Sequence, residues 1–318
     1  MAGDTSPLAS RLGFLVAIGT SLSYRLSSCM QILLNGLISG SAIALLAIAF
    51  QAVYLPTRVF FLGLAGIYAL APFLAQMVLV HGGGWFAAIL VALLGAIGVS
   101  LLCEWANHAR LARRNASEGV HLIASLGIYI VIVQVIAMVW GNDTKTLRTG
   151  LDATIRFGGV VVTGAQWLTL ATAVVLLVGF AVLLMRSDLG LRLRALADNP
   201  TQFALFGYNV NHHRLLAFAL AGFFATASSL VTAYDIGFDP HTGLQAVLLA
   251  VVAVIIGGRG SFLGPVAGAL LLGILRNQVV WYWSARWQEA ATFALLALFL
   301  LIRPHGLFGQ KYRLEATT

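Results

Sequence analysis

Charged residues are so widely spaced that most of this chain consists of long uncharged stretches. The stretches lie between Arg25 and Arg58, Arg58 and Glu104, Glu118 and Asp143, Arg156 and Arg186, Arg214 and Asp235, and Asp239 and Arg259. Each is long enough for the roughly 18 apolar residues that a membrane-spanning helix needs. Strands of a transmembrane barrel would alternate polar and apolar residues over about ten positions, and these stretches do not. The pattern therefore predicts an all-α polytopic membrane protein.

The apolar stretches divide into a predicted bundle of about 8–10 transmembrane helices. The predicted spans are 30–52, 59–80, 84–103, 120–140, 166–185, 213–233, 244–257, 263–282 and 287–302. Composition agrees, because 60% of the residues are hydrophobic and 9% are charged, whereas a soluble domain carries roughly 25% charged residues.

Basic residues in the short loops predict the orientation of the bundle. If the loop before Val59 is cytoplasmic, so are the loops at 104–119, 186–212 and 258–262 and the C-terminus. That side then holds twelve Lys and Arg residues, and the opposite side holds six. Because Lys and Arg accumulate in cytoplasmic loops, this orientation is favoured. The same rule explains the net charge of +8 without nucleic acid as a partner.

The chain is predicted to divide into three segments of unequal length. Residues 1–29 form an N-terminal tail or interfacial segment, 30–310 the transmembrane domain, and 311–318 a cytoplasmic tail. The apolar run at 12–20 resembles a signal-peptide core without a convincing cleavage pattern, so we expect an interfacial helix or an additional span. None of the loops is long enough to be a soluble domain, and the longest cytoplasmic one is 186–212.

The chain lacks the residue patterns of an enzyme or an ion-coupled carrier. No acidic residue falls in the middle of a predicted span, and the one charge inside a span is Arg276, which could snorkel outward, line a path or pair with another helix. There is no HExxH, no Ser-His-Asp pattern and no GxxxxGK[ST], so no catalytic residue and no metal site is predicted. For a transporter, this leaves an ATPase on a separate chain as the energy source.

Glycines mark two kinds of position. Gly36 and Gly40, like Gly264 and Gly268, form GxxxG patterns that allow helix backbones to approach closely. The segment IIGGRGSFLGP at 255–265 interrupts an apolar region and leaves a short span before it. Such an interruption is typical of a hinge or substrate path in transporters, and equally of a tight cytoplasmic turn.

A polar stretch, GLRLRALADNPTQFALFG at 190–207, predicts a short helix in the longest cytoplasmic loop. Asn199 can cap the helix, Pro200 suits its first position and Gly207 can end it. Phe203 and Phe206 are three residues apart, so we expect them to share a face. A two-turn helix is unstable alone in water and must dock on the membrane surface or on another protein.

This stretch resembles the coupling loop of ABC importer permeases of the branched-chain amino-acid family, in which a short helix fits a cleft of the ATPase subunit. Five further segments resemble the same family in the same order. They are NGLISGSAIALLAIAF at 35–50, HLIASLGIYIVIVQVIAMVWG at 121–141, AFALAGFFATASSL at 217–230, IIGGRGSFLGPVAGALLLG at 255–273 and RPHGLFG at 303–309.

The resemblance, together with the expected face of the short helix, assigns roles to three groups of residues. ATPase coupling is expected of Arg192, Arg194, Ala195, Asn199, Pro200, Phe203, Phe206 and Gly207. A translocation hinge is expected of Gly257, Gly258, Gly260 and Gly264, and the C-terminal signature consists of Arg303, Pro304, Gly306, Leu307 and Gly309.

The resemblance implies a permease subunit of an ATP-driven importer in a bacterial inner membrane, for branched-chain or other hydrophobic amino acids. The implied partners are a second permease chain, identical or different, two cytoplasmic ATPase subunits that hold ATP and Mg, and a periplasmic solute-binding protein. This chain itself would bind no cofactor. A permease for urea, short amides or another small solute is the alternative within the class, and an ion-coupled carrier or an intramembrane enzyme the alternative outside it.

One position departs from the family pattern. Family members carry a polar motif where this chain has FLGLAG at 61–66, and Leu64 falls on the polar position. The departure suggests a less polar ligand or a changed specificity.

Overall fold

The computed structural model describes residues 7–114, 116–148, 150, 154–157, 160–258, 260–303 and 306–308, with only the backbone described at 7–27 and 156–157. Arg259, Pro304, Gly309 and the tail at 311–318 lie outside the described residues. The elements are α1 (Pro7–Thr57), α2 (Leu64–Val80), α3 (Trp85–Cys103), a π-helical turn (Glu104–His108), α4 (Ala109–Arg113), α5 (Glu118–Trp140), β1 (Thr154–Phe157), β2 (Val160–Thr163), α6 (Gly164–Arg186), α7 (Asp188–Asp198), α8 (Pro200–Leu205), α9 (Val210–Asp235), α10 (Thr242–Gly257), α11 (Gly264–Tyr282), a 3₁₀ turn (Ala285–Trp287) and α12 (Gln288–Ile302).

The predicted all-α membrane fold is confirmed. Each of the nine predicted spans coincides with a helix. Six described helical stretches are long and apolar enough to cross a membrane: Ser28–Thr57, Trp85–Arg113, Glu118–Trp140, Gly164–Arg186, Val210–Asp235 and Ala285–Ile302. Two further apolar helices, α2 and α10, have only 17 and 16 residues, and α10 is buried along most of its length, at Val247, Ala250–Val254 and Ile256–Gly257 among others.

Two helices extend beyond the predicted ends. α1 is continuous through residue 29, so the backbone has no break where the tail was predicted to end, and the division there remains a prediction. The helix that begins with α3 continues through the π-helical turn and α4 to Arg113, ten residues past the predicted end. It continues because Glu104, expected in a loop, is buried and pairs with Arg214 of α9.

A small hairpin departs from the all-helical prediction. β1 and β2 are antiparallel, with Thr154 opposite Thr163 and Phe157 opposite Val160. The β-branched run at 160–163 favours an extended backbone, but a four-residue strand is too short to be apparent from periodicity. Val160 and Val162 are buried against Ile38 of α1, so the hairpin covers one side of that helix.

α1 and α11 cross with their backbones in direct contact. A Cβ atom on Gly36 would lie 2.7 Å from Cα of Ile274, and one on Gly40 would lie 3.0 Å from the carbonyl oxygen of Ala269. The close approach predicted for the first GxxxG pattern is thus confirmed, as is that of the second, because Gly268 lies against Ala253 of α10. These contacts place α1, α10 and α11 together in the core of the bundle.

Candidate functional site

The polar stretch after α6 folds into two short helices whose ends are capped by side chains. Ser187 caps α7 by accepting a hydrogen bond from the backbone N–H of Gly190, at 3.1 Å. Asn199 caps α8 through its Oδ1, which accepts from the N–H groups of Thr201 and Gln202, both at 3.0 Å. Gly207 follows with φ of +84° and ends the segment. The predicted start and end of the short helix are confirmed.

Phe203 and Phe206 do not share an exposed face, contrary to the expectation. Phe203 is 3% exposed, and its ring lies 5.0 Å from that of Tyr208 and 4.9 Å from that of His213 in α9. Phe206 is 80% exposed, because α8 ends at Leu205 and the chain turns at Phe206 instead of continuing the helical face on which Phe203 lies. Phe203 therefore attaches α8 to this chain, and Leu205 and Phe206 form its outward apolar surface.

Arginines attach α7 to the elements around it. Arg194 donates to the backbone carbonyl of Leu184 at 2.7 Å and to that of Gly190 at 3.3 Å. The first bond satisfies a carbonyl in the last turn of α6, which has no partner within its own helix. Arg192 lies with its guanidinium 5.2 Å from the centre of the Tyr208 ring. α6, α7 and the chain after α8 are thus linked, and Ala195 lies on the exposed side of α7.

The glycine segment is a tightly packed corner between α10 and α11. A Cβ on Gly257 would lie 2.2 Å from the carbonyl oxygen of Gly264, and Gly258 has φ of +109°. Gly306 and Leu307 of the C-terminal signature pack on the same corner, where the N–H of Leu307 donates to the carbonyl of Ile256 at 2.8 Å. These contacts are typical of a tight turn in which backbone atoms are in direct contact. The hinge role of Gly257, Gly258, Gly260 and Gly264 stays a prediction.

The structure brings the glycine segment next to α7. A cavity of about 270 Å³ lies between them, lined from α7 by Arg194, Ala197 and Asp198 and from the corner by residues 260–263. Gln51 of α1 donates to the carbonyl of Ser261 at 2.9 Å and holds the corner to the bundle. Residues 194–198 and 260–263, which are more than 60 positions apart in sequence, thus lie together at one end of the molecule.

A polar cavity occupies the opposite end of the bundle, near the end of α9 that is remote from α8. It has a volume of about 450 Å³, within the range of small-molecule sites. α1, α2, α6, α9, α10, α11 and α12 contribute its lining. The lining side chains with polar groups are Asn35, Ser39, Tyr68, Gln166, Thr169, Ser228, Thr232, Asp235, Arg276, Asn277 and Gln288.

Within this cavity Arg276 donates to Thr292 at 3.2 Å and to Gln288 at 3.4 Å, both in α12. Its neighbour Asn277 donates to Ser39 of α1 at 2.8 Å. Of the three roles that the sequence leaves open for Arg276, these hydrogen bonds correspond to pairing with another helix, and its position in the cavity lining is compatible with a path.

A buried ion pair joins the π-helical turn after α3 to α9, at the end of the bundle that carries α7 and α8. Arg214 donates from Nε to Glu104 at 2.6 Å and from Nη2 at 3.3 Å, with the two side chains 11% and 2% exposed. Next to it, Nδ1 of His108 and Nδ1 of His121 lie 3.2 Å apart. Arg214 directly follows His213, on which Phe203 packs, so α8 is connected through adjacent residues to the end of α3.

A protein family described as the permease component of the branched-chain amino acid transport system matches residues 32–302 of this chain.

The chain belongs to this family.

Individual relatives match along most of their length. BraD of Pseudomonas aeruginosa, a high-affinity branched-chain amino acid transport system permease protein, is 28% identical over 306 residues, which cover 88% of this chain and 96% of BraD. LivH of Escherichia coli, a permease protein of the same description, is 26% identical over 301 residues, with the same coverage of 88% and 96%. RbsC of Haemophilus influenzae, a ribose import permease protein, is 29% identical over 199 residues, or 59% of this chain and 61% of RbsC.

As a member of the branched-chain permease family, the chain is a multi-pass membrane subunit of an ABC importer and is not itself catalytic. Its family implies an ATPase and a solute-binding protein as separate partners. The residues of the expected coupling helix and of the glycine segment therefore lie at one end of a permease, and the polar cavity lies toward the other end.

Sequence patterns did not identify the polar cavity of this permease or its ion pair. Glu104 and Arg214 each border an uncharged stretch, and this position at a span end is the sequence feature that could have indicated their pairing. His108 falls in the predicted loop 104–119 and His121 at the edge of the predicted span 120–140, and both are buried. Leu64, the departure from the family pattern, is fully buried and is not among the residues that line the cavity.

Proposed function

We propose that this permease imports branched-chain or other hydrophobic amino acids through the polar cavity. The observation that carries the proposal is the match to BraD and LivH, which spans 96% of each and whose names give branched-chain amino acids as the cargo. The cavity supports the proposal, because its lining combines polar groups with the aliphatic side chains of Ile38, Ile43, Leu46 and Leu249. The match to RbsC spans only 61% of that relative and makes a sugar the competing cargo.

The proposed assembly contains two permease chains, identical or different, two cytoplasmic ATPases and one periplasmic binding protein. The end that carries α7 and α8 faces the cytoplasm, in keeping with the excess of Lys and Arg in the loops on that side. The cavity then opens on the periplasmic half, where a binding protein delivers its solute.

The cargo is tested by uptake in proteoliposomes that contain the complete transporter and its binding protein. We expect ATP-dependent accumulation of radiolabelled leucine that excess isoleucine or valine abolishes and that ribose or urea leaves unchanged. The same vesicles without ATP serve as the control. Accumulation of ribose or urea without any leucine uptake would contradict the proposal.

We infer that Leu205 and Phe206 are the side chains through which α8 contacts the ATPase. They are 82% and 80% exposed, whereas Phe203 is held within the chain. Large apolar side chains that are exposed together on a cytoplasmic segment are typical of a protein interface.

Leu205→Ser combined with Phe206→Ser is expected to lower ATPase copurification at least about tenfold, since each interface anchor contributes roughly 1–2 kcal/mol. Folding should be unchanged, because both side chains are exposed in the isolated chain. Phe86→Ser, at an equally exposed phenylalanine at the other end of the bundle, is the matched control. Full ATPase retention by the double variant would refute the assignment.

A further inference from the structure

Arg276 places a positive charge inside the polar cavity, in the half of the bundle proposed to face the periplasm. It lies in α11, six residues before the helix ends at Tyr282. Its side chain lines both the cavity of about 450 Å³ and an adjoining one of about 260 Å³, which also share Tyr68 and Thr232. A charge at this depth in a membrane protein is costly and typically marks a substrate or ion pathway.

The described hydrogen bonds of Arg276 hold its guanidinium in place through neutral partners. Thr292 and Gln288 accept its two described hydrogen bonds, and both are neutral. No carboxylate among the described residues lies within 4.0 Å of the guanidinium. The carboxylate of Glu289, also in α12, accepts a hydrogen bond from Gln245 instead. A guanidinium has five N–H donors, so donors remain for an anion.

The surroundings of Arg276 fit an amino acid more closely than a neutral solute. A guanidinium binds a carboxylate through two parallel hydrogen bonds, a geometry that a hydroxyl or amide cannot reproduce. The side chain of Asp235 adds an opposite charge to the same lining, and the aliphatic residues Ile43, Leu46 and Leu249 cover another part. The cavity thus combines a fixed cation, a carboxylate and an apolar wall.

We infer that Arg276 binds the carboxylate of the transported amino acid during its passage through this chain. The inference rests on the proposed function, because it names the group of the cargo that the cavity recognises. Arg276 is then a specificity-determining residue, and solutes without a carboxylate lack its strongest contact.

The test compares Arg276→Gln, Arg276→Lys and Arg286→Gln in the complete transporter, reconstituted with saturating binding protein. Leucine uptake and ATP hydrolysis stimulated by the binding protein are measured on the same vesicles. We expect Arg276→Gln to lower leucine uptake at least about tenfold, since a hydrogen-bonded charge pair is removed. Stimulated ATP hydrolysis should persist, so uptake per ATP falls. Arg276→Lys keeps the charge and should retain a substantial part of the uptake.

Arg286→Gln is the matched control, because it removes an exposed positive charge at the same end of the bundle without lining either cavity. Its uptake should equal that of the wild type. Unchanged uptake by Arg276→Gln would overturn the inference, and so would equal losses in Arg276→Gln and Arg276→Lys or a parallel loss of uptake and ATP hydrolysis. A wild-type transporter that takes up no leucine would instead overturn the proposed function, and the inference with it.

Discussion

Gly273→Val is expected to separate α1 from α11 and to lower the free energy of unfolding by about 3 kcal/mol or more. A Cβ at this position would lie 2.3 Å from the carbonyl oxygen of Gly36 and 2.4 Å from Cα of Gly40. Both atoms belong to backbone, so no side-chain rotation relieves the overlap. The measurement is the fraction of monodisperse protein that remains after stepwise heating in detergent.

Gly179→Val in α6 provides the control for this substitution. A Cβ there has no neighbour within 4 Å, so the same change should shift stability by less than about 0.5 kcal/mol. Equal heat resistance of the two variants would show that the crossing of α1 and α11 is looser than the structure has it.

Arg214→Gln is expected to destabilise the protein by roughly 3–5 kcal/mol, because it leaves the buried carboxylate of Glu104 without its cation. Removal of both charges should be far milder, since a buried ion pair replaced by apolar residues of similar size is often neutral in stability. Glu104→Leu combined with Arg214→Met is therefore expected to recover most of the loss. Thermal unfolding of the purified chain measures both variants.

The matched control for the ion pair is Arg113→Gln, an exposed arginine on the same helical stretch as Glu104. Its unfolding temperature should stay close to that of the wild type. The buried pair would lose its assigned role if Arg214→Gln proved as stable as this control, or if the double variant proved less stable than Arg214→Gln.

Local features of the fold were predictable because they depend on neighbours in sequence. Uncharged runs gave the helices, since a membrane span requires consecutive apolar residues. Asn199, Pro200 and Gly207 gave both ends of α8, since a cap acts within three residues of its own position. The spacing of Gly36 and Gly40 along α1 predicted a close helix crossing, but it did not predict that α11 is the partner helix.

Contacts between distant residues were not predictable in this way. Glu104 and Arg214 are 110 residues apart, and no local pattern connects them. Phe203 was expected on an outer face, but a six-residue helix has too few turns to define a face, and His213 of the next helix takes up its ring. The polar cavity collects one to three polar side chains from each of six helices, and in the sequence these residues are scattered through apolar spans.

The departure at Leu64 illustrates the same limit. From the resemblance in sequence, a polar residue with a role in specificity was expected there. In this chain Leu64 is fully buried, whereas Tyr68, one helical turn later, lines the cavity. Leu64 therefore belongs to the core beside the cavity, and the cavity's polar lining is supplied by other residues.

The short length of α10 has a consequence for how the protein is made. Sixteen residues span only about 24 Å, less than the hydrocarbon thickness of roughly 30 Å. Because α10 is enclosed by other helices along most of its length, surrounding lipid does not have to thin around it. The same enclosure means that it is poorly suited to leave the translocon alone. We therefore expect its stable insertion to depend on α11, which packs against it, and on α1, which is synthesised much earlier.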